Sequence, residues 1–278
     1  MKPDPVKPTV VYRARYPERI VCLTEETTET LYLLGEQSRI VGISGFTVRP
    51  PEARKEKPRV SAFTSAKIEK IMDLQPDLVI GFSDLQADIA KDLIKRGVNV
   101  LLFNQRSVNE ILSMILQLAA LTGATAKGEQ LVAGYISQIQ ATATRATQLK
   151  KRPSVYFEEW DEPMISAIRW VSELIEIAGG KDCFPQLAAC AGGAERIIAN
   201  PQDVIKANPD IIIGSWCGKK FRPEKVIVRD GWDQITAVKN GELHEIKSPV
   251  ILQPGPAALT DGLAAIERII HRADNQPG

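Results

Sequence analysis

Residues 68–81 read IEKIMDLQPDLVIG, and residues 201–214 read PQDVIKANPDIIIG. In each stretch a short amphipathic segment ends at Gln75 or Asn208, a proline follows, and an aspartate leads into an apolar run that ends at glycine. Proline stops a helix, and a fully apolar run of this length is typical of a strand in a parallel sheet. The same helix–proline–strand unit in each half of the chain therefore predicts two similar α/β lobes.

Alternating strands and helices surround both copies of this unit. Short runs rich in Val and Ile alternate with longer segments whose apolar residues recur at the 3.6-residue period of a helix. Ser107 and Glu110 have the spacing of a capping box, which predicts the start of a helix. The predicted strands are 20–23, 40–43, 78–81, 98–103, 155–158, 211–214, a segment around Val226, and 243–246; the predicted helices are 25–34, 66–74, 85–96, 108–121, 171–178, 202–207 and 257–270.

A proline-free segment rich in Ala, Gln and Leu separates the two halves. Residues 126–150 predict one helix of about 24 residues, or roughly 36 Å, which is too long for a crossover within one small lobe. The predicted fold is α/β, with two pseudo-symmetric lobes of parallel sheets covered by helices, a single long backbone helix joining them, and a ligand cleft between the lobes. The predicted division is a disordered tail at 1–16, an N-terminal lobe at 17–124, the linking helix at 125–150 and a C-terminal lobe at 151–278.

Composition and charge exclude several classes of function. The 278 residues carry 35 Lys plus Arg against 34 Asp plus Glu, a net charge of +1 that offers no electrostatic case for nucleic acid or anionic membrane as a partner. No window approaches the roughly 18 apolar residues of a membrane-spanning helix. Four cysteines without a CxxC motif and only two histidines argue against a disulfide scaffold and an imidazole metal site. The first nineteen residues lack an apolar signal region, so the chain as written is expected in the cytoplasm, or with its signal already removed.

Aromatic residues are concentrated in the loops where a ligand would bind. In open parallel sheets, ligands lie beyond the carboxyl ends of the strands. A single aromatic residue at the end of a strand often only covers the core of its own lobe. Six such residues around one cleft instead favour the interpretation that their rings form flat surfaces for a ligand. These residues are Phe46, Phe63 and Phe82 in the first lobe and Trp160, Trp170 and Trp216 in the second.

A run of carboxylates follows the first strand of the second lobe. Residues 158–162 read EEWDE, which is either a solvated charged run, a set of acceptors for a ligand or hard cation, or an acid/base pair of an enzyme. Arg169 and Lys219 lie in loops at the same predicted edge. No nucleotide-binding or catalytic motif occurs in the sequence. The predicted ligand-binding residues are Phe46, Phe63, Phe82, Glu158, Glu159, Trp160, Arg169, Trp170, Trp216 and Lys219, with no catalytic residue and no metal ligand.

The chain resembles the helical-backbone class of ABC-importer substrate-binding proteins, which captures vitamin B12, haem and ferric siderophores. The resemblance covers about residues 17 to 272, and its B12-binding branch is nearest. It implies that Phe63 and Phe82 stand where those proteins place pocket tryptophans, with Trp216 as the facing wall. The segments that carry it are PERIV at 17–21, TE at 28–29, IVGIS at 40–44, RPPEA at 49–53, residues 68–81, SVNEI at 107–111, VSELIEIAGG at 171–180 and residues 202–214.

The resemblance also implies a docking residue on each lobe for the permease. Such proteins place one acidic residue on top of each lobe, and Glu69, seven residues before the proline of the first repeat, matches this pattern. The second repeat departs from it, with Gln202 at the matching position and Asp203 beside it. Arg196 is a second departure, because B12 binders tend to have an aromatic residue there. The resemblance implies a periplasmic or cell-surface location, which the missing signal does not support.

Two functions of different classes are consistent with these observations. The first is a non-enzymatic binding protein that captures a cobalamin-like corrinoid or another large metal chelate for ABC-type import. It implies a large small-molecule ligand and an ABC permease as partners, no resident cofactor, and a monomer. The alternative is a cytoplasmic enzyme or metallochaperone on the same scaffold that uses the carboxylates of residues 158–162.

Overall fold

The computed structural model describes residues 14–274 of the chain and contains two five-stranded sheets. Residues 1–13 of the predicted tail lie outside the described residues. The predicted fold class is confirmed, because each sheet is flanked by helices and one long helix joins the two lobes.

The sheet of the N-terminal lobe is parallel throughout, with strand order β3-β2-β1-β4-β5. Ile20 and Cys22 pack into one core cluster while Val21 and Leu23 pack into another, so both faces of the central strand are buried. The short strand β3 is not among the predicted ones. The elements are β1 (Ile20–Cys22), α1 (Glu25–Leu34), β2 (Ile40–Ser44), α2 (Ala53–Glu56), β3 (Arg59–Ser61), α3 (Ile68–Asp73), β4 (Leu78–Phe82), α4 (Ala87–Lys95), β5 (Val100–Phe103) and α5 (Val108–Thr122).

The linking helix, α6 (Thr125–Ala146), ends four residues before the predicted boundary. It packs closely on α5 at Gly128, where a Cβ atom would overlap the Cβ of Ala119. Near its other end, Glu267 accepts hydrogen bonds from the guanidinium of Arg145 at 2.6 and 3.0 Å. These contacts attach the helix to both lobes.

The sheet of the C-terminal lobe is mixed, with strand order β10-β9-β6-β7 and β8 paired to β6. The strand β7 is antiparallel to β6, because the two strands form a hairpin. The predicted strand around Val226 is wrong: Pro223 begins a short helix there, as proline favours the first helical turn. The elements are β6 (Ser154–Asp161), β7 (Met164–Ser166), α7 (Arg169–Ile177), β8 (Lys181–Asp182), α8 (Pro185–Ala188), α9 (Gln202–Ala207), β9 (Ile211–Gly214), α10 (Pro223–Ile227), α11 (Thr236–Lys239), β10 (Leu243–Glu245), α12 (Ser248–Ile251) and α13 (Leu263–Asp274), with a π-helical segment at Ala258–Gly262.

The repeated sequence unit has the same structural role in both lobes. The carboxylate of Asp77 accepts hydrogen bonds from the backbone N–H groups of Glu18 (2.7 Å) and Arg19 (3.0 Å), just before β1. The carboxylate of Asp210 accepts one from the backbone N–H of Ser154 (2.8 Å), at the start of β6. In each lobe the aspartate thus joins its own strand to the neighbouring central strand, which explains why the unit recurs.

Hydrogen bonds exchanged between the lobes form the base of the cleft. Glu29 of α1 accepts from the backbone N–H of Ala257 (3.2 Å), and Glu173 of α7 accepts from the backbone N–H of Val108 (2.7 Å), the first residue of α5. Each lobe therefore supplies an acceptor for a free backbone donor of the other. Among the described helices, none has the length and apolar character needed to cross a membrane.

Candidate functional site

In the N-terminal lobe, the guanidinium of Arg106 packs on the aromatic ring of Phe82. Arg106 follows β5, and its guanidinium carbon lies 4.7 Å from the ring centroid of Phe82, which ends β4. Burial lowers the pKa of Arg106, and the charges of Arg196 and Glu159 in the other lobe also act on it. The guanidinium of Arg106 donates to Oδ1 of Asn104 at 3.0 Å and lies 3.7 Å from the carboxylate of Asp84, whereas its buried Nε has no hydrogen-bond partner. Arg106 is not among the predicted ligand-binding residues, although residues 104–106 form the loop that follows the predicted strand 98–103.

The three predicted phenylalanines differ in accessibility. Phe46 is 56% exposed in the loop after β2. Phe63 is half-buried, and its carbonyl accepts a hydrogen bond from Gln86 at 2.9 Å, which fixes the loop after β3. Phe82 is buried, and the guanidinium of Arg106 lies over its ring. The prediction that this ring is open to a ligand is therefore wrong.

Glu158 is a structural residue of the C-terminal lobe. It is fully buried and accepts hydrogen bonds from the guanidinium of Arg229 (2.6 and 3.0 Å), Nε1 of Trp216 (3.0 Å) and the hydroxyl of Tyr156 (2.8 Å). The prediction that Glu158 accepts hydrogen bonds from a ligand is wrong, because donors of the protein already occupy both of its carboxylate oxygens. Trp216 is likewise buried, in edge-to-face contact with Phe221 at 5.1 Å, so it does not lie on the cleft rim as predicted.

Glu159 is paired with a buried arginine. Arg196 donates to the two Glu159 oxygens at 2.6 and 3.1 Å and to the carbonyl of Ser166 at 2.6 Å. The pair joins the loop before α9 to the β6–β7 hairpin. Arg196, at the position where B12 binders tend to have an aromatic residue, thus forms an ion pair. Glu159 is therefore not a free acceptor for a ligand.

Trp160, Asp161 and Lys219 lie together at the carboxyl end of β6 in the C-terminal lobe. The ammonium nitrogen of Lys219 is 3.9 Å from the ring centroid of Trp160 and 5.1 Å from that of Trp216, and it pairs with the carboxylate of Asp161. Nε1 of Trp160 donates to the carbonyl of Glu162 at 2.8 Å. The structure thus brings together the predicted residues Trp160, Trp216 and Lys219.

Two further predicted residues have partners within the C-terminal lobe. Trp170 is 2% exposed, belongs to the main core cluster, and donates from Nε1 to the carbonyl of Ile251 at 2.9 Å. Its predicted place in the site is wrong because its ring fills the core under α12. Arg169 is exposed and pairs with Glu173 one helical turn away, at 3.0 Å.

The predicted docking residues are all on the surface. The side chain of Glu69 is 77% exposed and pairs with Arg96 at 2.7 Å. Gln202 and Asp203 are exposed at the start of α9, and Asp203 pairs with Lys206 at 3.3 Å. Their part in permease docking stays a prediction.

A cavity of about 690 Å³ opens beside the β6–β7 hairpin, and its lining includes Asp161 and Glu162 of the carboxylate run and the predicted docking residue Gln202. Met164, Ile198 and Trp232 form its apolar part, with Lys225 and Asp230 among its charged residues. Across residues 14–274, no group of three or more His, Cys, Asp or Glu side chains is arranged to hold a metal ion.

Two buried carboxyl groups, those of Glu25 and Glu26, lie at the start of α1. Burial raises the pKa of Glu25 to about 8, and the nearby charges of Glu29 and Glu26 add to the effect. Burial also raises the pKa of Glu26 to about 7. Both groups therefore titrate near neutral pH.

Comparisons with known proteins agree with this architecture. The chain is 27% identical over 264 residues to the ABC transporter substrate-binding lipoprotein YvrC of Bacillus subtilis, covering 92% of this chain and 80% of that protein. It is 25% identical over 252 residues to the vitamin B12-binding protein of Vibrio parahaemolyticus, covering 87% and 86%. A possible iron-binding periplasmic solute-binding protein of Staphylococcus epidermidis has the same fold, with a TM-score of 0.78, 23% identity, and coverage of 92% and 100%. Residues 20–250 match the family described as periplasmic binding protein, and the chain therefore belongs to that family.

Proposed function

We propose that this protein is the substrate-binding component of an ABC importer and that its ligand is a cobalamin-like corrinoid or another large metal chelate. Membership of the periplasmic binding protein family and the names of the two relatives support a transport role. Members of this family are transport proteins rather than enzymes, which supports a binding role without catalysis.

The observation that carries the ligand class is the packing of Arg106 on Phe82, together with accessible aromatic rings in the loops that follow the strands of both lobes. A large chelate presents a broad, partly apolar face and a rim of oxygen atoms, so it needs flat surfaces and donors together. Phe46 and Phe63 from one lobe and Trp160 from the other supply the flat surfaces. Arg106 donates to Oδ1 of Asn104 at 3.0 Å and lies 3.7 Å from Asp84, and its five N–H groups leave further donors for a rim oxygen.

The carboxylate run of residues 158–162 does not favour the enzyme alternative. Glu158 is held by Arg229, Glu159 by Arg196 and Asp161 by Lys219. An acid/base pair needs a carboxyl group within reach of the reacting atoms and able to exchange a proton with them. These three carboxylates instead hold cationic side chains in place.

Titration with chelates tests the proposed ligand class. We expect saturable binding of at least one of cyanocobalamin, haem and a ferric trihydroxamate, followed by visible absorbance and calorimetry. Arg106→Gln should weaken binding about tenfold or more, which corresponds to roughly 1.4 kcal/mol. Arg152→Gln, at an exposed arginine paired with Glu176, should leave affinity unchanged. Absence of binding for all three chelates at high micromolar concentration would contradict the proposal.

Docking to a permease is a separate part of the proposal. Glu69 is exposed on its lobe, and a basic permease surface would attract its charge. We expect Glu69→Lys to lower transport of the ligand into cells while leaving ligand affinity unchanged. A loss of affinity would instead assign Glu69 to the ligand site.

A further inference from the structure

Lys219 fills a cage made of two indole rings and a carboxylate. Its ammonium nitrogen lies 3.9 Å from the ring centroid of Trp160, 5.1 Å from that of Trp216, and in an ion pair with Asp161. The side chain of Asp161 is only 10% exposed. Lys219 therefore neutralises a carboxylate that has little contact with water.

The walls of this cage are held by contacts that do not involve Lys219. Nε1 of Trp160 donates to the carbonyl of Glu162 at 2.8 Å, and Nε1 of Trp216 donates to the buried carboxylate of Glu158 at 3.0 Å. Two aromatic faces beside a carboxylate form the kind of site that selects organic ammonium ions, through cation–π attraction and charge. The cage thus has the chemistry of an amine-binding site whichever amine occupies it.

Lys219 itself belongs to an exposed turn. Residues 217–220 are exposed after β9, and the side chain of Lys219 remains 38% exposed within the cage. The preceding Gly218 has a left-handed backbone (φ 75°) with open space around it. The lysine side chain can therefore leave the cage without disturbing either tryptophan.

We propose that Trp160, Trp216 and Asp161 form a subsite for a positively charged amine of the ligand, which enters in exchange for Lys219. An incoming ammonium restores the ion pair and the ring contacts, and the released lysine returns to water. A neutral group in the same place leaves Asp161 buried without a partner, which is costly. The exchange makes the cleft selective for ligands that carry an amine. The identity of the ligand rests on the proposed function, whereas the chemistry of the cage does not.

Tetramethylammonium tests the cage without any chelate. In Lys219→Ala, we expect tetramethylammonium chloride to bind with a millimolar dissociation constant, measured by tryptophan fluorescence against sodium chloride at equal ionic strength. Wild type and the neighbouring Lys220→Ala should bind it at least tenfold more weakly, because Lys219 still fills the cage. Adding Asp161→Asn to Lys219→Ala should weaken binding about tenfold.

Thermal unfolding confirms that each variant is folded, and Lys219→Gln provides a second variant in which the cage is empty. The proposed subsite would be overturned if wild type, Lys219→Ala and Lys219→Gln bound tetramethylammonium equally. It would also be overturned if neither Lys219 variant bound tetramethylammonium.

A matched pair of chelates tests the exchange in wild type. The pair is a ferric trihydroxamate with a free terminal amine and the same chelate with that amine acetylated. We expect the free amine to bind at least tenfold more tightly, and Asp161→Asn to reduce this preference to about twofold or less. Equal affinities in wild type would overturn the exchange. If neither chelate binds, the proposed function is in error for this chelate class, and the tetramethylammonium titration alone decides the subsite.

Discussion

At the scale of single residues, the C-terminal lobe depends on charged side chains whose partners are distant in sequence. Arg229 lies 71 residues from Glu158, and Arg196 lies 37 residues from Glu159. A carboxylate run next to a strand predicts only that carboxylates are present there, because no local spacing identifies a partner so far along the chain. For this reason, sequence reasoning placed Glu158 and Glu159 among the ligand-binding residues, whereas both stabilise the lobe through ion pairs with arginines.

Removing Arg229 should destabilise the protein strongly. Arg229→Ala leaves the carboxylate of Glu158 buried and short of donors, so we expect the free energy of unfolding to fall by about 3–5 kcal/mol. Arg169→Ala removes an arginine from an exposed pair and should cost less than about 1 kcal/mol. Denaturant unfolding of both variants measures the difference, and similar losses would show that Glu158 is not a buried anchor.

Glu25 should make stability fall as pH rises through neutrality. Its pKa is about 8 in the folded protein and about 4.5 when unfolded, so between these values the folded state binds more protons. The stabilisation is complete below pH 4.5 and is lost as pH rises to 8. Glu25→Gln should therefore raise stability at pH 8 relative to wild type by roughly 2 to 4 kcal/mol, with little effect at pH 5. The measurement is unfolding across pH, with exposed Glu69→Gln as control; parallel curves for wild type and Glu25→Gln would contradict it.

At the scale of elements, the repeated unit allowed the two lobes to be predicted, because its proline and apolar strand are strong local signals, and the proline-free segment 126–150 allowed the linking helix to be predicted. The strand around Val226 was wrongly predicted because Val226, Ile227 and Val228 are β-branched. Only Val226 is buried, which suits one turn of helix after Pro223. The strands β3 (RVS) and β7 (MIS) were not predicted because neither contains the continuous apolar run of β1 (IVC) or β9 (IIIG). Trp170 was misplaced because composition does not distinguish an aromatic lid from an aromatic core residue.

Two glycines of α6 should respond oppositely to the same change. Gly128→Ala places a methyl group against Ala119 of α5, so we expect a loss of about 1–3 kcal/mol in unfolding free energy. Gly134→Ala meets no atom within 4 Å and should gain about 0.5–1 kcal/mol from the higher helix propensity of alanine. Denaturant unfolding checks both, and a neutral Gly128→Ala would show that α5 and α6 can separate there without cost.

At the scale of the whole molecule, one core cluster extends through both lobes. It includes Ile111 and Ile115 of α5 together with Val171 and Leu174 of α7. Burial shared in this way couples the two sheets, so the two lobes should unfold together rather than one after the other.

A core substitution in the N-terminal lobe should therefore be detected by probes in the other lobe. All four tryptophans lie between residues 160 and 232. We expect Ile111→Ala to lower stability by about 2–5 kcal/mol and to shift the tryptophan-fluorescence and circular-dichroism midpoints equally. A fluorescence transition that stays unchanged while the circular-dichroism transition moves would show that the lobes unfold independently.

The hydrogen bonds exchanged at the base of the cleft also limit how such proteins can recombine. The acceptor for Val108 is Glu173, and the acceptor for Ala257 is Glu29, so each half of the chain carries one part of two shared contacts. A chimaera that takes one lobe from a relative inherits incomplete pairs unless that relative has acceptors at the same places. Although the halves repeat one architecture, the unit that can be exchanged between genes is the pair of lobes and not the single lobe.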